Sequence, residues 1–239
     1  MGAAVVTLRE GFEASLIVGI VLAFLDRTGR RDAFWPVWIG TLAAVAISVA
    51  VGLALFAVGA EFEGRAEAIW EGSVMVLAAG LLTWMVFWMR RQARTIRQHL
   101  EAQVDHALQI GSAFALGLVA FVGVLREGLE TALFLLGTFE GSNATVSLIG
   151  GLLGLAAAIA LGYAFYRGSS RLDLGRFFTV TSVLLLVFAG WLLFGGLHEL
   201  QEGGLLPENE ALRVIAFAAL AVPTIVLYLR TGRPKRARA

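Results

Sequence analysis

Arg9-Glu10-Gly11-Phe12-Glu13 opens an apolar run that continues from Ala14 to Leu25. The pattern returns as Arg126-Glu127-Gly128-Leu129-Glu130, between Leu116–Leu125 and Thr131–Phe139. Both copies sit in stretches long enough to cross a bilayer, so each places three charges where hydrocarbon belongs. A charged residue near the centre of a membrane helix costs about 2.5–3.5 kcal/mol. Charges kept at that cost usually line a polar pathway or a binding site.

Around these motifs the composition is that of a polytopic membrane protein. The 239 residues are 58% hydrophobic and 15% charged, with a mean hydropathy of +0.79, far from a soluble domain. The absence of cysteine excludes disulfides, Fe–S clusters and thiolate metal sites, and three histidines are too few for a His-rich zinc or copper centre. No cleavable signal peptide is expected, because the first apolar run carries its own charges and lacks a basic leading region.

Apolar stretches of sufficient length predict seven spans, at about 4–25, 36–59, 68–89, 112–138, 144–166, 177–197 and 211–229. Basic residues follow the first (Arg27, Arg30, Arg31), third (Arg90, Arg91, Arg94, Arg97), fifth (Arg167, Arg171, Arg176) and seventh (Arg230, Arg233, Lys235, Arg236, Arg238). The opposite connections are acidic, with Glu61, Glu63 and Glu67, then Glu140, then Glu199, Glu202, Glu208 and Glu210. Only Arg65 and Arg213 are basic there. The positive-inside rule then predicts an outside N-terminus and an inside C-terminus.

The duplication extends beyond the motif. A shift of 117 positions superimposes the two pentapeptides. A shift of 110 lands Ile39, Gly40, Leu42, Ala46, Ala50, Gly52 and Ala54 on Ile149, Gly150, Leu152, Ala156, Ala160, Gly162 and Ala164. The same shift places Ala79-Gly80 on Ala189-Gly190. Three spans per unit is an odd number, so the units, about 1–89 and 109–197, run in opposite directions. The expected architecture is all-α and polytopic: a 3+3 inverted repeat, a transporter design with the substrate site between repeats, followed by a seventh span at 211–229 and a basic tail at 230–239.

In a helix, Glu10 and Glu13 share a face, as do Glu127 and Glu130, and Arg9 and Arg126 each reach the glutamate four residues on. Gly11 and Gly128 permit close helix approach. Four glutamates and two arginines sum to −2, which suits a multivalent cation. Carboxylate oxygens are hard ligands for iron, manganese, calcium or magnesium, and intramembrane glutamates also relay protons. The residues alone leave these alternatives open.

A doubled Arg-Glu-Gly-x-Glu in the first and fourth of seven spans resembles the oxidase-dependent iron permease family, whose members include fungal high-affinity and bacterial EfeU-type permeases. The similarity covers essentially the whole chain, and Phe12 replaces the family's usual leucine. The resemblance implies import of iron, Fe²⁺ or Fe³⁺, across the plasma or inner membrane. It implies Glu10, Glu13, Glu127 and Glu130 as iron-handling residues, with Arg9 and Arg126 as the motif arginines. Iron would be the transported substrate, with no permanently bound cofactor. An extracytoplasmic ferroxidase, peroxidase or iron-binding protein is the implied partner. Another cation of the same kind, lead or manganese, or a proton-conducting channel, is the alternative.

Secondary candidates lie at the outer ends of the spans. Glu67 and Glu71 are spaced to share a helix face with Glu63, and His198, Glu199 and Glu202 form a cluster in what reads as the loop after residue 197. Both groups are candidates for collecting cations at the outer mouth. Arg90–His106 reads as a charged helical connector beside lipid headgroups, with His99, Glu101, Asp105 and His106 among its polar residues. The basic tail reads as a topology anchor that needs no nucleic acid. A retinal protein is excluded because Lys235, in the tail, is the sole lysine, and no nucleotide-binding loop or helical His-x-x-x-His pair suggests an enzyme.

Overall fold

Every apolar run predicted as a span folds as a helix in the computed structural model, which describes residues 2–92, 96–109, 113–140, 144–166 and 174–231. The eight α-helices are α1 (Gly2–Arg27), α2 (Phe34–Gly59), α3 (Arg65–Gln92), α4 (Ile96–Gln109), α5 (Ala113–Glu140), α6 (Ala144–Tyr166), α7 (Leu174–Glu202) and α8 (Glu210–Thr231). There is no strand among the described residues. The basic residues Arg94, Arg167, Arg171, Arg233, Lys235, Arg236 and Arg238 lie outside the described residues, as do the side chains of Arg90, Arg91, Arg97, His99, Glu101, Glu140, Arg176 and Arg230.

Local chemistry sets the helix ends. Pro36 sits in the first turn of α2, where its missing N–H leaves no bond unmade. Gly64 takes a positive φ of 59° before α3, and its N–H donates to Glu67 Oε2 at 3.2 Å. An acid there also faces the positive end of the helix. The C-terminus of α7 is closed by Gly204 at φ 70°, with Gly203 N–H donating to Glu199 O at 2.8 Å and Leu205 N–H to Leu200 O at 3.0 Å. The helix therefore extends past residue 197 to Glu202, so His198, Glu199 and Glu202 lie on its last turns and not in a loop. The backbone continues hydrogen-bonding after the apolar run has ended, which hydropathy does not register.

Among the described residues, five helical segments are long and apolar enough to cross a membrane: Arg31–Gly59, Arg65–Met89, Thr145–Ala164, Phe177–Glu202 and Glu210–Tyr228. The helices α1 and α5 have the length, 26 and 28 residues, but no membrane-spanning stretch of either escapes the motif charges. Leu42, Leu53, Leu153 and Ile159 point outward, mostly exposed. Outward apolar side chains along such helices suit contact with acyl chains, as in a multi-pass membrane protein.

The helices group into two compact units. In the first, α1 packs along α6 and α5 packs along α2, with further contact between α1 and α5. Small residues set both pairings. A Cβ on Gly11 would lie 3.0 Å from Ala158 Cβ, one on Gly162 would overlap Ser15, and one on Gly154 would overlap Thr7 Oγ1. The Thr7 hydroxyl also donates across the α1–α6 contact to Gly151 O at 2.9 Å. On the other side a Cβ on Gly128 would lie 2.7 Å from Ser48 Cβ, one on Gly52 would lie 3.3 Å from Ala132 Cβ, and one on Gly40 would overlap the Gly117 carbonyl. Under the sequence shifts above, Gly11–Ala158 maps onto Gly128–Ser48, and Ser15–Gly162 onto Ala132–Gly52. Both contacts recur in the second pair.

At one end of this unit, α4 lays Val104 and Ala107 into a buried cluster with Val18, Val21, Leu22 and Leu25 of α1 and Leu116, Ala120 and Val124 of α5. Asp105, His106 and Gln109 are exposed, so the expected charged connector is an amphipathic helix with one dry face.

The second unit contains α3, α7 and α8. A Cβ on Gly72 of α3 would lie 2.7 Å from Gly196 O of α7, and Met75 fills the space beside Gly195 and Gly196. Helix α8 covers Gly190 with Phe217 and Ala221, and its Arg213 guanidinium lies 5.2 Å from the Phe194 ring centroid.

Candidate metal-transport site

The motif residues occupy mid-helix positions on α1 and α5, within the first unit. Spacing of three and four residues turns the carboxylates to one face of each helix, and the contact of α1 with α5 brings those faces together. One carboxylate oxygen from each of Glu10, Glu127 and Glu130 lies within 4.8 Å of the other two. Two oxygens on one ion are separated by at most twice the metal–oxygen distance, roughly 4–5 Å. The trio is therefore spaced to close on a single cation.

The fourth motif carboxylate, Glu13, stands outside that trio and pairs with Arg9, Nε to Oε1 3.1 Å. Its repeat equivalent differs in setting: Arg126 Nε is 2.9 Å from Glu130 Oε1 and 3.9 Å from Glu127 Oε1. The side chains of Arg9 and Glu13 are 1% and 5% exposed, against 36% and 21% for Arg126 and Glu130. Both oxygens of Glu10, both of Glu13 and one each of Glu127 and Glu130 are buried without a hydrogen bond from a protein donor, Glu13 having the Arg9 ion pair beside it. Buried carboxylate oxygens are rarely left without donors, and those of Glu10, Glu127 and Glu130 lie close enough together for one cation to serve all three. Glu10 lies in the trio and Glu13 in the Arg9 ion pair, a difference of setting that their like spacing did not reveal.

The secondary candidates gather within the second unit. Glu67, Glu71, Glu199 and Glu202 line one cavity of about 770 Å³, together with Gly64, Arg65, Ala68, Gly203 and Gly204. His198 Nε2 is 3.2 Å from Glu202 Oε1. Glu63 precedes α3 and is exposed, outside the cavity lining. Arg65 was read only as a stray basic residue, yet it lines this cavity and its Nε donates to Gly203 O at 2.6 Å. Ser48, seated on motif glycine Gly128, was likewise missed; its only sequence signal is that the 110-residue shift pairs it with another small residue, Ala158.

A carboxylate cluster shared by two helices that carry one motif, in a multi-pass membrane protein, has the form of a cation permease's site. The model of the Iron permease FTR1 family matches residues 1–218, and the chain belongs to that family. A ferrous iron permease EfeU of Escherichia coli O6:K15:H31 (strain 536 / UPEC) is 41% identical over 229 residues, 95% of this chain and 83% of the relative. The EfeU of Shigella sonnei (strain Ss046) has the same identity and coverage. That of Yersinia pestis is 39% identical over 199 residues, 82% of this chain and 71% of the relative. No solved structure matches the chain.

Proposed function

We propose that this chain imports ferrous iron across the cytoplasmic membrane, binding it at the carboxylates of Glu10, Glu127 and Glu130. The observation that carries the reading is the convergence of these three buried side chains, from two copies of one motif, within 4.8 Å. The oxygen-only donor set suits a hard cation. The full set of four glutamates and two arginines sums to −2, which one divalent ion cancels. A trivalent ion leaves a net positive charge in a poorly solvating interior, which favours Fe²⁺ over Fe³⁺. The relatives named as ferrous iron permeases agree with that choice.

On this reading α1 and α5 also span the bilayer, giving seven spans with the N-terminus outside and the C-terminus inside. The matched contacts of α1 with α6 and of α5 with α2 support a 3+3 inverted repeat. An ion gives up water to the trio and is passed on as one helix pair moves against the other, the alternating access of inverted-repeat carriers.

The test is uptake of radioactive iron into proteoliposomes, under reducing and oxidising conditions, by wild type, Glu10→Gln and Glu127→Gln. Each substitution keeps the side chain's shape and removes its charge. Uptake under reducing conditions by wild type and its loss in both variants, with elution profiles unchanged, is the expected result. Wild-type rates in both variants refute the assignment. Uptake of manganese or lead in preference to iron shifts the cargo within the same class of hard or borderline cation.

A further inference from the structure

We propose that Arg126 is a tethered cation that rests on the carboxylate trio between transport events and is displaced by the incoming metal, while Arg9 is a fixed counter-charge. The proposal rests on the reading of the trio as the transport site. Its geometric basis is the inequality of two arginines that occupy equivalent places in the two repeats.

Arg126 holds Glu130 at 2.9 Å and approaches Glu127 at 3.9 Å, and both carboxylates belong to the trio. A metal that takes those oxygens and the guanidinium that already contacts them compete for the same lone pairs. The ion pair of Arg9 at 3.1 Å involves Glu13, the one motif carboxylate outside the trio. Room to move separates them further. The Arg126 side chain is 36% exposed and Glu130 is 21% exposed, so although Nη2 of Arg126 is buried the side chain as a whole is open on one side. Arg9 is 1% exposed, so a swing would have to displace the side chains packed around it.

The competition has a directional use. A site of three buried carboxylates without a resident cation would bind a divalent ion tightly and release it slowly. A guanidinium on a flexible stem, covalently attached at high effective concentration, weakens binding and hastens release. Because the charge is built in, the empty site is never left as three uncompensated carboxylates. Arg126 in this role is a positioning residue and not a ligand.

The experiment is a titration of purified protein in detergent with Mn²⁺, which is redox-stable and visible by electron paramagnetic resonance. Wild type, Arg126→Gln, Arg126→Lys, Arg9→Gln and Glu10→Gln are compared, with uptake kinetics measured on the same preparations. Arg126→Gln is expected to bind Mn²⁺ at least tenfold more tightly, with KM and maximal rate both reduced. Arg126→Lys, which keeps a tethered cation with one point of charge, should fall between it and wild type. Arg9→Gln should show no tightening. Free guanidinium added to Arg126→Gln should compete with Mn²⁺ and restore the weaker binding. Unchanged or weaker binding in both Arg126 variants, or equal tightening in Arg9→Gln, overturns the proposal. If Glu10→Gln binds Mn²⁺ as wild type does, the trio is not the cation site and both readings fall. If Glu10→Gln loses binding while Arg126→Gln gains none, only the role of Arg126 is lost.

Discussion

Replacing Gly128 by alanine tests the link between helix packing and the carboxylate site. Gly128 lies between Glu127 and Glu130, and the new methyl carbon would sit 2.7 Å from Ser48 Cβ on α2. The Ser48 hydroxyl oxygen also meets the methyl, but it can rotate away; the Cβ cannot. Carbon atoms in contact rest about 3.5–4.0 Å apart, so α2 and α5 must separate locally by about 1 Å. Overpacking of this kind typically costs about 1–3 kcal/mol, against a gain of about 1 kcal/mol from replacing glycine within a helix. Net stability should therefore fall by up to about 2 kcal/mol, measured by thermal unfolding in detergent. Transport should fall much further, because the displaced backbone carries two members of the trio. The double variant Gly128→Ala with Ser48→Gly exchanges the small residue across the contact and should recover both stability and uptake. The mirror variant Gly11→Ala meets Ala158 Cβ at 3.0 Å and should be milder. Full activity in Gly128→Ala, or no recovery in the double variant, refutes the reasoning.

Two further substitutions probe the scaffold. Gly40→Ala drives a methyl into the Gly117 backbone, within 2.8 Å of its carbonyl carbon, and backbone cannot rotate aside; unfolding should shift down by about 2 kcal/mol or more, whereas Gly80→Ala, with nothing within 4 Å, should match or exceed wild type in the same melt. Val104→Ala removes two fully buried methyls from the cluster that α4 shares with α1 and α5 and should cost about 2 kcal/mol; proteolysis of the 96–109 segment should quicken, while Ala102→Ser on its exposed side leaves the rate unchanged.

The positions of the apolar helices were legible because a bilayer demands length and apolarity, and both can be counted along a chain. The motif was legible because charge in such a stretch is costly and because it occurs twice. Partnership was not. Hydropathy gives no reason for α1 to lie along α6; that choice rests on small residues such as Gly11, Gly154 and Ala158 meeting in three dimensions. The four motif glutamates looked equivalent for the same reason. Identical spacing cannot show that Glu13 is held by Arg9 while Glu10 turns toward Glu127 and Glu130. The connector read as charged because its polar residues dominate the sequence, and nothing in it showed the cluster that receives Val104 and Ala107.

The pairing of α1 with α6 and of α2 with α5 also constrains how the chain is made. As synthesis proceeds, α1 emerges with Arg9, Glu10 and Glu13 long before the ribosome reaches Ala113, where α5 begins, or Ala144, where α6 begins. Until then Gly11 lacks the Ala158 contact, the Thr7 hydroxyl has only carbonyls of its own helix such as Ala3 O to bond, and the motif charges of α1 have no partner from α5. The first three helices are thus an unfinished intermediate whose surface is completed only by the second half of the chain. A nascent product truncated before α6 would carry an unsealed charged helix, a feature by which membrane quality control can recognise it.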